Sequence, residues 1–369
     1  MKIEKIELHH ISMNMLHRFE TSFGVQTERP CVVVKVQADG LTGWGESPAG
    51  DGPFYSPETA RTSFLILKDF LAPMVAGKDF AHPRGVAGLM RRVRGNEMAK
   101  AGLENAAWDL FAKSKKQSLK ALLGGVRDRV SVGISIGIQP SIEALQARVA
   151  EVLGLGYGRI KLKIKKGCDV KPMTAVRERY PKLLLMADAN SDYQLEDAPV
   201  LKELDPLKLL MIEQPLPYYD IIDHAKLQAR LETPICLDES IHRLDDARHA
   251  IELKACRIIN MKVGRVGGLT NALAIHDLTQ KAGIPMWCGG MIETGIGRAL
   301  NLALASLPNF KLPGDISASD QYYKNDLTRQ FVLNKEDSTI TVPDGLGIGV
   351  EVDEGRLAGY RLQHAAVTA

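Results

Sequence analysis

No stretch of the 369 residues approaches the roughly 18 consecutive apolar residues that a membrane-spanning helix needs, so none is expected to cross a bilayer. The opening MKIEKIELHH has no apolar segment of the kind that marks a secretory leader, and none is expected. Cysteine is scarce. Cys31, Cys168, Cys236, Cys256 and Cys288 are odd in number, widely scattered and free of C-x-x-C spacing, which excludes a disulfide framework and a thiolate zinc site. Four of them sit in or beside apolar runs, as in PICLD and PMWCGG, and read as small buried hydrophobes suited to a reducing cytoplasm. An excess of one charge is lacking too. A net charge of +3 gives no reason to expect nucleic acid or an anionic membrane as a partner.

What is present is an ordinary soluble composition, 45% hydrophobic and 25% charged, in a chain long enough for two domains. Residues 1–125 read as an α+β domain. CVVVKVQADGLTGWGES gives two strands joined across Asp39-Gly40, a strong hairpin signal, and NEMAKAGLENAAWDLFAKSKKQSLKALLGG is helical, with Trp108 in the core and Gly124-Gly125 as its stop. From 126 the texture changes. Eight short apolar runs (VSVGISIG, RIKLKI, LLLMADAN, LKLLMIEQP, TPICLDES, RIINMKVG, IPMWCGG and FKLPGDI) alternate with amphipathic stretches, which predicts a (β/α)8 barrel over 126–318. Residues 319–369 are expected to leave the barrel and return to the first domain. Within them TITVPDGLGIGVEV reads as strand, turn and strand, and QHAAVTA as a frayed end.

One residue near the end of each run forms a series: Ser135, Lys163, Asp188, Glu213, Asp238, Lys262, Cys288, Asp315. Its members are 24 to 28 residues apart, one βα unit each, and fall where barrel active sites form. Asp188, Glu213 and Asp238 end consecutive strands. Neighbouring strands are about 4.8 Å apart, so three carboxylates are expected to converge, and such a group repels itself unless protons or a cation intervene. An oxygen-only set suits Mg²⁺, with Mn²⁺ as a substitute, and leaves positions for water and a bidentate substrate group.

Lys163 lies one strand before these carboxylates and Lys262 one strand after, so in a closed barrel the two face each other. The alternation in RIKLKI, which alone would suggest a solvated edge strand, then has its polar face inside the barrel. Lys161 and Lys163 share that face, roughly 6.5–7 Å apart. Like charge and a nearby cation favour a neutral lysine, which can act as a general base. Lys161 reads either as a tuner of Lys163 or as a salt-bridge residue, and Lys165 as lying outside the site. Arg265 reads either as a charge tuning Lys262 or as a loop arginine binding a helix end. Two stretches of the first domain suit a lid over the barrel mouth, HRFETSFGVQTERP with Phe19 and Phe23 and PAGDGPFYSPET with Phe54 and Tyr55. Packing on their own domain is the alternative for the latter two.

The series KLK … DAN … IEQP … LDES … NMKVGR … GGMIETGIGR resembles the enolase superfamily, muconate-lactonizing subgroup, and most closely the o-succinylbenzoate synthase / N-succinylamino acid racemase family. The likeness runs through nearly the whole chain, including WGES and ENAAWDLFAK in the first domain. It implies a modified TIM barrel under a capping domain, with Asp188, Glu213 and Asp238 as Mg²⁺ ligands. Lys163 and Lys262 would be the acid/base pair on opposite faces of a small carboxylate substrate. Lys161 would be the first lysine of K-x-K. Asn190, Ser135, Phe19, Phe23, Gly290, Met291 and Ile292 are candidates for the substrate pocket. The implied reactions are dehydration to o-succinylbenzoate, a step of menaquinone synthesis, and racemisation of N-succinylamino acids. Barrels of this family often assemble, so a homo-oligomer is expected. Mandelate-racemase-like members use a seventh-strand His, absent from PMWCGG. Dipeptide epimerases carry Asp-x-Asp on the eighth, where this chain has Asp315 and Ser317. A muconate-type cycloisomerase is the remaining alternative.

Overall fold

The computed structural model describes residues 1–22 and 24–369. Phe23, one of the pocket candidates, lies outside the described residues. The chain opens with a long antiparallel hairpin, β1 (Lys5–Thr21) and β2 (Gly24–Ala38), followed by β3 (Leu41–Ser47). Asp39 and Gly40 both have positive φ, 50° and 72°, which matches the twist of a tight hairpin between β2 and β3. The sheet lies against the helix Glu97–Ser114. Gly43 and Gly45 permit this, since a Cβ there would lie 2.1 Å from the carbonyl of Ala106 and 2.2 Å from that of Gly102. Both faces of the sheet bury apolar residues. Ile6, Leu8, Val32, Val34 and Val36 pack with Leu103, Ala106 and Leu110, whereas Ile11, Met13, Cys31 and Val33 join the core that continues into the barrel. The stretch read as helical, 96–125, forms two helices, Glu97–Ser114 and Leu119–Leu123, the chain turning at Lys116 with φ 54°.

A short β4 (Arg129–Ser131) leads into seven parallel strands: β5 (Ile134–Ile136), β6 (Arg159–Lys163), β7 (Leu184–Asp188), β8 (Ile212–Glu213), β9 (Ile235–Leu237), β10 (Ile258–Met261) and β11 (Met286–Cys288). They pair in chain order. The eighth run closes the ring without forming a regular strand. Phe310 bridges to Met286, Gly314 to Val132, and the Asp315 N–H donates to the Cys288 carbonyl at 2.8 Å. Pro313, which has no N–H to give to a ladder, accounts for the broken pairing. The molecule is a (β/α)8-type barrel with an α+β capping domain.

Downstream, β12 (Thr339–Thr341) pairs with β4, and β13 (Arg361–Thr368) pairs antiparallel with β1 as an edge of the capping sheet. Two expectations fail here. The end of the chain is not frayed, because the eight-residue β13 is paired with β1 in the capping sheet. The VEV segment is not a strand, since the Pro and Gly residues of VPDGLGIG carry the chain through turns instead. Among the described residues no helix is long and apolar enough to cross a membrane.

Candidate active site

Alternation along β6 puts Ile160, Leu162 and Ile164 in the core outside the barrel and turns Arg159, Lys161 and Lys163 inward. Arg159 and Lys161 lie deepest, over the ring of Trp287 at 5.6 and 4.9 Å. The register then sets Lys163 level with Asp188, and Asp188 level with Glu213.

At the mouth Asp188, Glu213, Asp238 and Asp315 each meet a cation. Lys161 Nζ lies 3.0 Å from Asp188, 2.7 Å from Glu213 and 2.7 Å from Asp315. Lys163 donates to Asp188 and to Asn190 Oδ1, each at 2.6 Å. Asp238 takes Lys262 at 2.8 Å and a close contact from Arg265, while Asn260 donates to Glu213 at 2.6 Å. The oxygens of Asp188, Glu213 and Asp238 are accordingly not all within 4.8 Å of one another. The convergence expected from strand spacing is interrupted because ammonium and guanidinium groups separate the three anions. Lys161 is thus an ion-pair hub. Arg265 does not bind a helix end. Beyond its grip on Asp238 it donates to the carbonyls of Ile241 and Asn260 at 2.7 and 2.6 Å. Lys165 is outside the site, 42% exposed and 3.9 Å from Glu20.

The titration behaviour follows from burial and pairing. Burial pulls the Lys163 ammonium below its usual range, against the attraction of Asp188. Lys161 and Lys262 go the other way. Burial opposes their charge, but Asp188, Asp315 and Glu213 hold Lys161 up, and Tyr55, Glu213 and Glu239 hold Lys262 up. Of the lysines expected to be tuned toward neutrality, only Lys163 is. Burial disfavours the anionic form of Asp188, yet Lys161 and Lys163 outweigh it and keep the carboxyl well below its usual range. Glu213 is pushed up by burial and by Asp188, and Glu239 is pushed up to about 7 by the same two causes.

Above this array lies a cavity of about 280 Å³. The barrel supplies Ser135, Lys161, Lys163, Asn190, Lys262, Gly290, Met291, Ile292 and Asp315, and the capping domain supplies Phe19, Val25, Arg29 and Tyr55. The expected pocket residues among those described therefore meet at one place. Phe19 reaches it from the tip of the β1–β2 hairpin, a regular element where a loop was expected. Two residues lining the cavity hold left-handed backbone: Asn190 (φ 43°) and, least expected for a β-branched residue, Ile292 (φ 56°). Ile292 is pinned by the Tyr323 hydroxyl, which donates to its carbonyl at 2.6 Å.

Four residues take on contacts at the site that the sequence did not specify, Glu239 and Arg29 without having been singled out at all. Asp315 binds Lys161, Arg159 and, at 2.8 Å, Ser135. It belonged to the periodic series, so a signal was there. Glu239, beside Asp238, accepts from Asn190 at 2.9 Å. Tyr55 directs its hydroxyl at Lys262 (3.0 Å) and Asp238 (3.2 Å). Arg29 is buried in the capping wall of the cavity and donates to the Pro48 carbonyl. No spacing marks the last two, because they come from the other domain.

Comparison with known proteins agrees with this geometry. Residues 5–124 match the mandelate racemase / muconate lactonizing enzyme N-terminal domain, and residues 144–356 match the enolase C-terminal domain-like family. An o-succinylbenzoate synthase of Bacillus subtilis is 49% identical over 97% of this chain and 96% of its own length. An N-succinylamino acid racemase of Thermus thermophilus is 47% identical over 95% of both. A crystal structure of an enolase-superfamily member from Listeria innocua superposes with a TM-score of 0.95 at 41% identity, covering 100% of this chain and 99% of the other. Fold, lysine and carboxylate placement and these likenesses agree: the chain belongs to the enolase superfamily, in the enzyme family of o-succinylbenzoate synthases and N-succinylamino acid racemases.

Proposed function

We propose that this enzyme removes the proton α to the carboxylate of a small dicarboxylic substrate in a divalent-metal-dependent reaction, and that it dehydrates to o-succinylbenzoate, racemises N-succinylamino acids, or does both. The observation that carries the reading is the pair Lys163 and Lys262. They line one cavity from β6 and from the end of β10, with the carboxylate-bearing strands β7, β8 and β9 between them.

Asp188, Glu213 and Asp238 are the residues that would hold Mg²⁺, or Mn²⁺ in its place. They fit because they are fully buried, oxygen-only donors at the C-terminal ends of adjacent strands, with no imidazole among them. When bound, the cation stabilises negative charge developing on the substrate carboxylate, an effect of several kcal/mol.

The chain's own groups move the proton. One lysine, as the free amine, takes the α-proton and becomes ammonium, and the C–H electron pair passes into the carboxylate as an enediolate. In racemisation the opposite lysine, as ammonium, returns a proton to the other face, so the two lysines exchange protonation states. In dehydration the bond to a β-hydroxyl breaks instead. Water leaves with the proton Lys163 has taken, and Lys262 stays ammonium throughout, beside the anionic intermediate. Asn190, held between Lys163 and Glu239, fixes where the Lys163 amine points. Arg29 supplies a cation on the capping wall for a second carboxylate.

Two neighbouring chemistries fit less well. Ser317 is fully buried and donates to the Gly133 carbonyl at 2.8 Å, so it offers no acid for a dipeptide ammonium. The seventh strand, Met286–Cys288, carries no histidine. The test is ¹H NMR of each enantiomer of N-succinylphenylglycine in D₂O, with and without Mg²⁺. Mg²⁺-dependent α-proton exchange from both enantiomers with decay of optical rotation is expected for a racemase. No exchange from either, together with no turnover of a β-hydroxy dicarboxylate to o-succinylbenzoate, refutes the proposal.

A further inference from the structure

A second group of ligand-type side chains lies far from the barrel mouth. On the capping sheet, Glu7 and His9 project from the same face of β1, and His364 on β13 is the direct cross-strand partner of His9. A carboxylate oxygen of Glu7 and one ring nitrogen from each histidine all lie within 4.8 Å of one another. The imidazoles stand 4.9 Å apart between centroids. His9 is ten residues upstream of Phe19 on β1, roughly 30 Å of strand from the catalytic cavity.

A second observation singles out His9. Its side chain is only 6% exposed, and both ring nitrogens are buried without a hydrogen-bond partner among the described residues. A buried imidazole with neither nitrogen satisfied is costly and calls for a partner. We propose that Glu7, His9 and His364 form a binding site for a borderline transition-metal ion of the Zn²⁺ class, which fastens the C-terminal strand β13 to β1.

The donor set suits that class. Two imidazoles and one carboxylate are ligands of Zn²⁺ and its neighbours and not of Mg²⁺, which prefers oxygen alone. The spacing suits it too. A tetrahedral ion about 2.1 Å from each ligand needs ligand atoms about 3.4 Å apart. His364 Nε2 and Glu7 Oε2 already stand at 3.4 Å. The protonation states are appropriate: burial and the neighbouring His364 push His9 down to about 4, leaving its lone pair free at neutral pH. The outer side is open, since His364 is 37% and Glu7 15% exposed. Lys5 pairs with the other oxygen of Glu7, Oε1, at 3.0 Å, and Oε2 is the one that faces His364.

The test uses the full-length enzyme, stripped with chelator and kept in saturating Mg²⁺ so that the barrel carboxylates are occupied. Co²⁺ is titrated by absorption and Zn²⁺ by calorimetry, against wild type, His364→Ala and Glu7→Gln. The expected result is one equivalent bound with the intense visible bands of tetrahedral nitrogen-ligated Co²⁺, affinity at least about tenfold weaker in each variant, and Mg²⁺-supported turnover unchanged. Hydrogen exchange in 361–368 should slow on Zn²⁺ addition in wild type only. Binding of equal strength in all three proteins, or none in wild type, overturns the site. Binding that leaves exchange in β13 unchanged overturns the fastening role.

Discussion

Arg265→Gln separates the two proposed reactions. Arg265 and Lys262 share one carboxylate. Lys262 lies 2.8 Å from one oxygen of Asp238 and Arg265 grips the other, which puts the two cations roughly 6 Å apart. At an effective dielectric of about 20, a like charge at that distance disfavours the lysine ammonium by about 3 kcal/mol, or about 2 pKa units. Removing it raises the affinity of Lys262 for its proton, so the amine fraction at neutral pH falls about 100-fold. Racemisation needs that amine in one direction. Because the two enantiomers are equal in energy, kcat/KM falls by the same factor in both directions. Dehydration leaves Lys262 as ammonium and escapes this loss. The substitution also leaves the Ile241 and Asn260 carbonyls short of donors, so some activity will be lost through stability. Measuring both reactions on one preparation removes that contribution, since the fraction folded cancels from their ratio. The expected result is a racemisation-to-dehydration ratio lowered by one to two orders of magnitude. Equal losses in the two reactions would refute the argument.

Tyr55→Phe removes the hydroxyl that bridges Lys262 and Asp238, and kcat/KM is expected to fall about 5–10-fold, the worth of one hydrogen bond, with unfolding in urea little changed. Arg29→Met should raise KM for an N-succinylamino acid about 10–100-fold, the worth of a charge-assisted hydrogen bond, but leave KM for the N-acetyl analogue, which has one carboxylate fewer, where it was. Glu104 is fully buried, accepts from Trp108 Nε1 at 2.7 Å, and is pushed up to about 7 by burial. The folded state thus holds a proton that the unfolded chain releases near pH 4.3, and Glu104 takes away stability progressively between about pH 4 and 7. Glu104→Gln should flatten that part of the stability–pH curve measured by urea unfolding; an unchanged slope would show that Glu104 is ionised in the fold.

What the sequence made legible was whatever repeats. One βα unit recurs every 24 to 28 residues, so Lys163, Asp188, Glu213, Asp238 and Lys262 could be placed at the ends of strands, and the structure puts them there. Alternation in RIKLK gave the inward face of β6 once a closed barrel was assumed. Residues whose position depends on the docking of two domains were harder. Tyr55 and Arg29 lie in segments with no period, and only the packing of the capping domain on the barrel carries them to the cavity. The eighth run was read as a strand from its apolar character, and Pro313 broke the pairing. The C-terminal strand was missed for a related reason: QHAAVTA is mostly exposed and weakly apolar, and its order comes from hydrogen bonds to β1.

The charge arrangement at the mouth constrains how the site can be filled. Arg29, Arg159, Lys161, Arg265 and whichever of Lys163 and Lys262 holds the proton are five cations, and Asp188, Glu213, Asp238, Glu239 and Asp315 are five carboxyl groups. In so dry a place an uncompensated charge is costly, so a dication alone or a dianion alone binds against that cost. A divalent metal and a dicarboxylate together keep the balance, which favours the two entering as a neutral sum over a monocarboxylate entering with the same metal. The coupling is reciprocal, so the substrate must tighten the metal as much as the metal tightens the substrate. Mn²⁺ affinity followed by electron paramagnetic resonance is therefore expected to rise at least about fivefold when N-succinylphenylglycine is present, and to rise less with N-acetylphenylglycine. Equal rises with both ligands would show that the second carboxylate stays in water and that charge balance does not select the substrate.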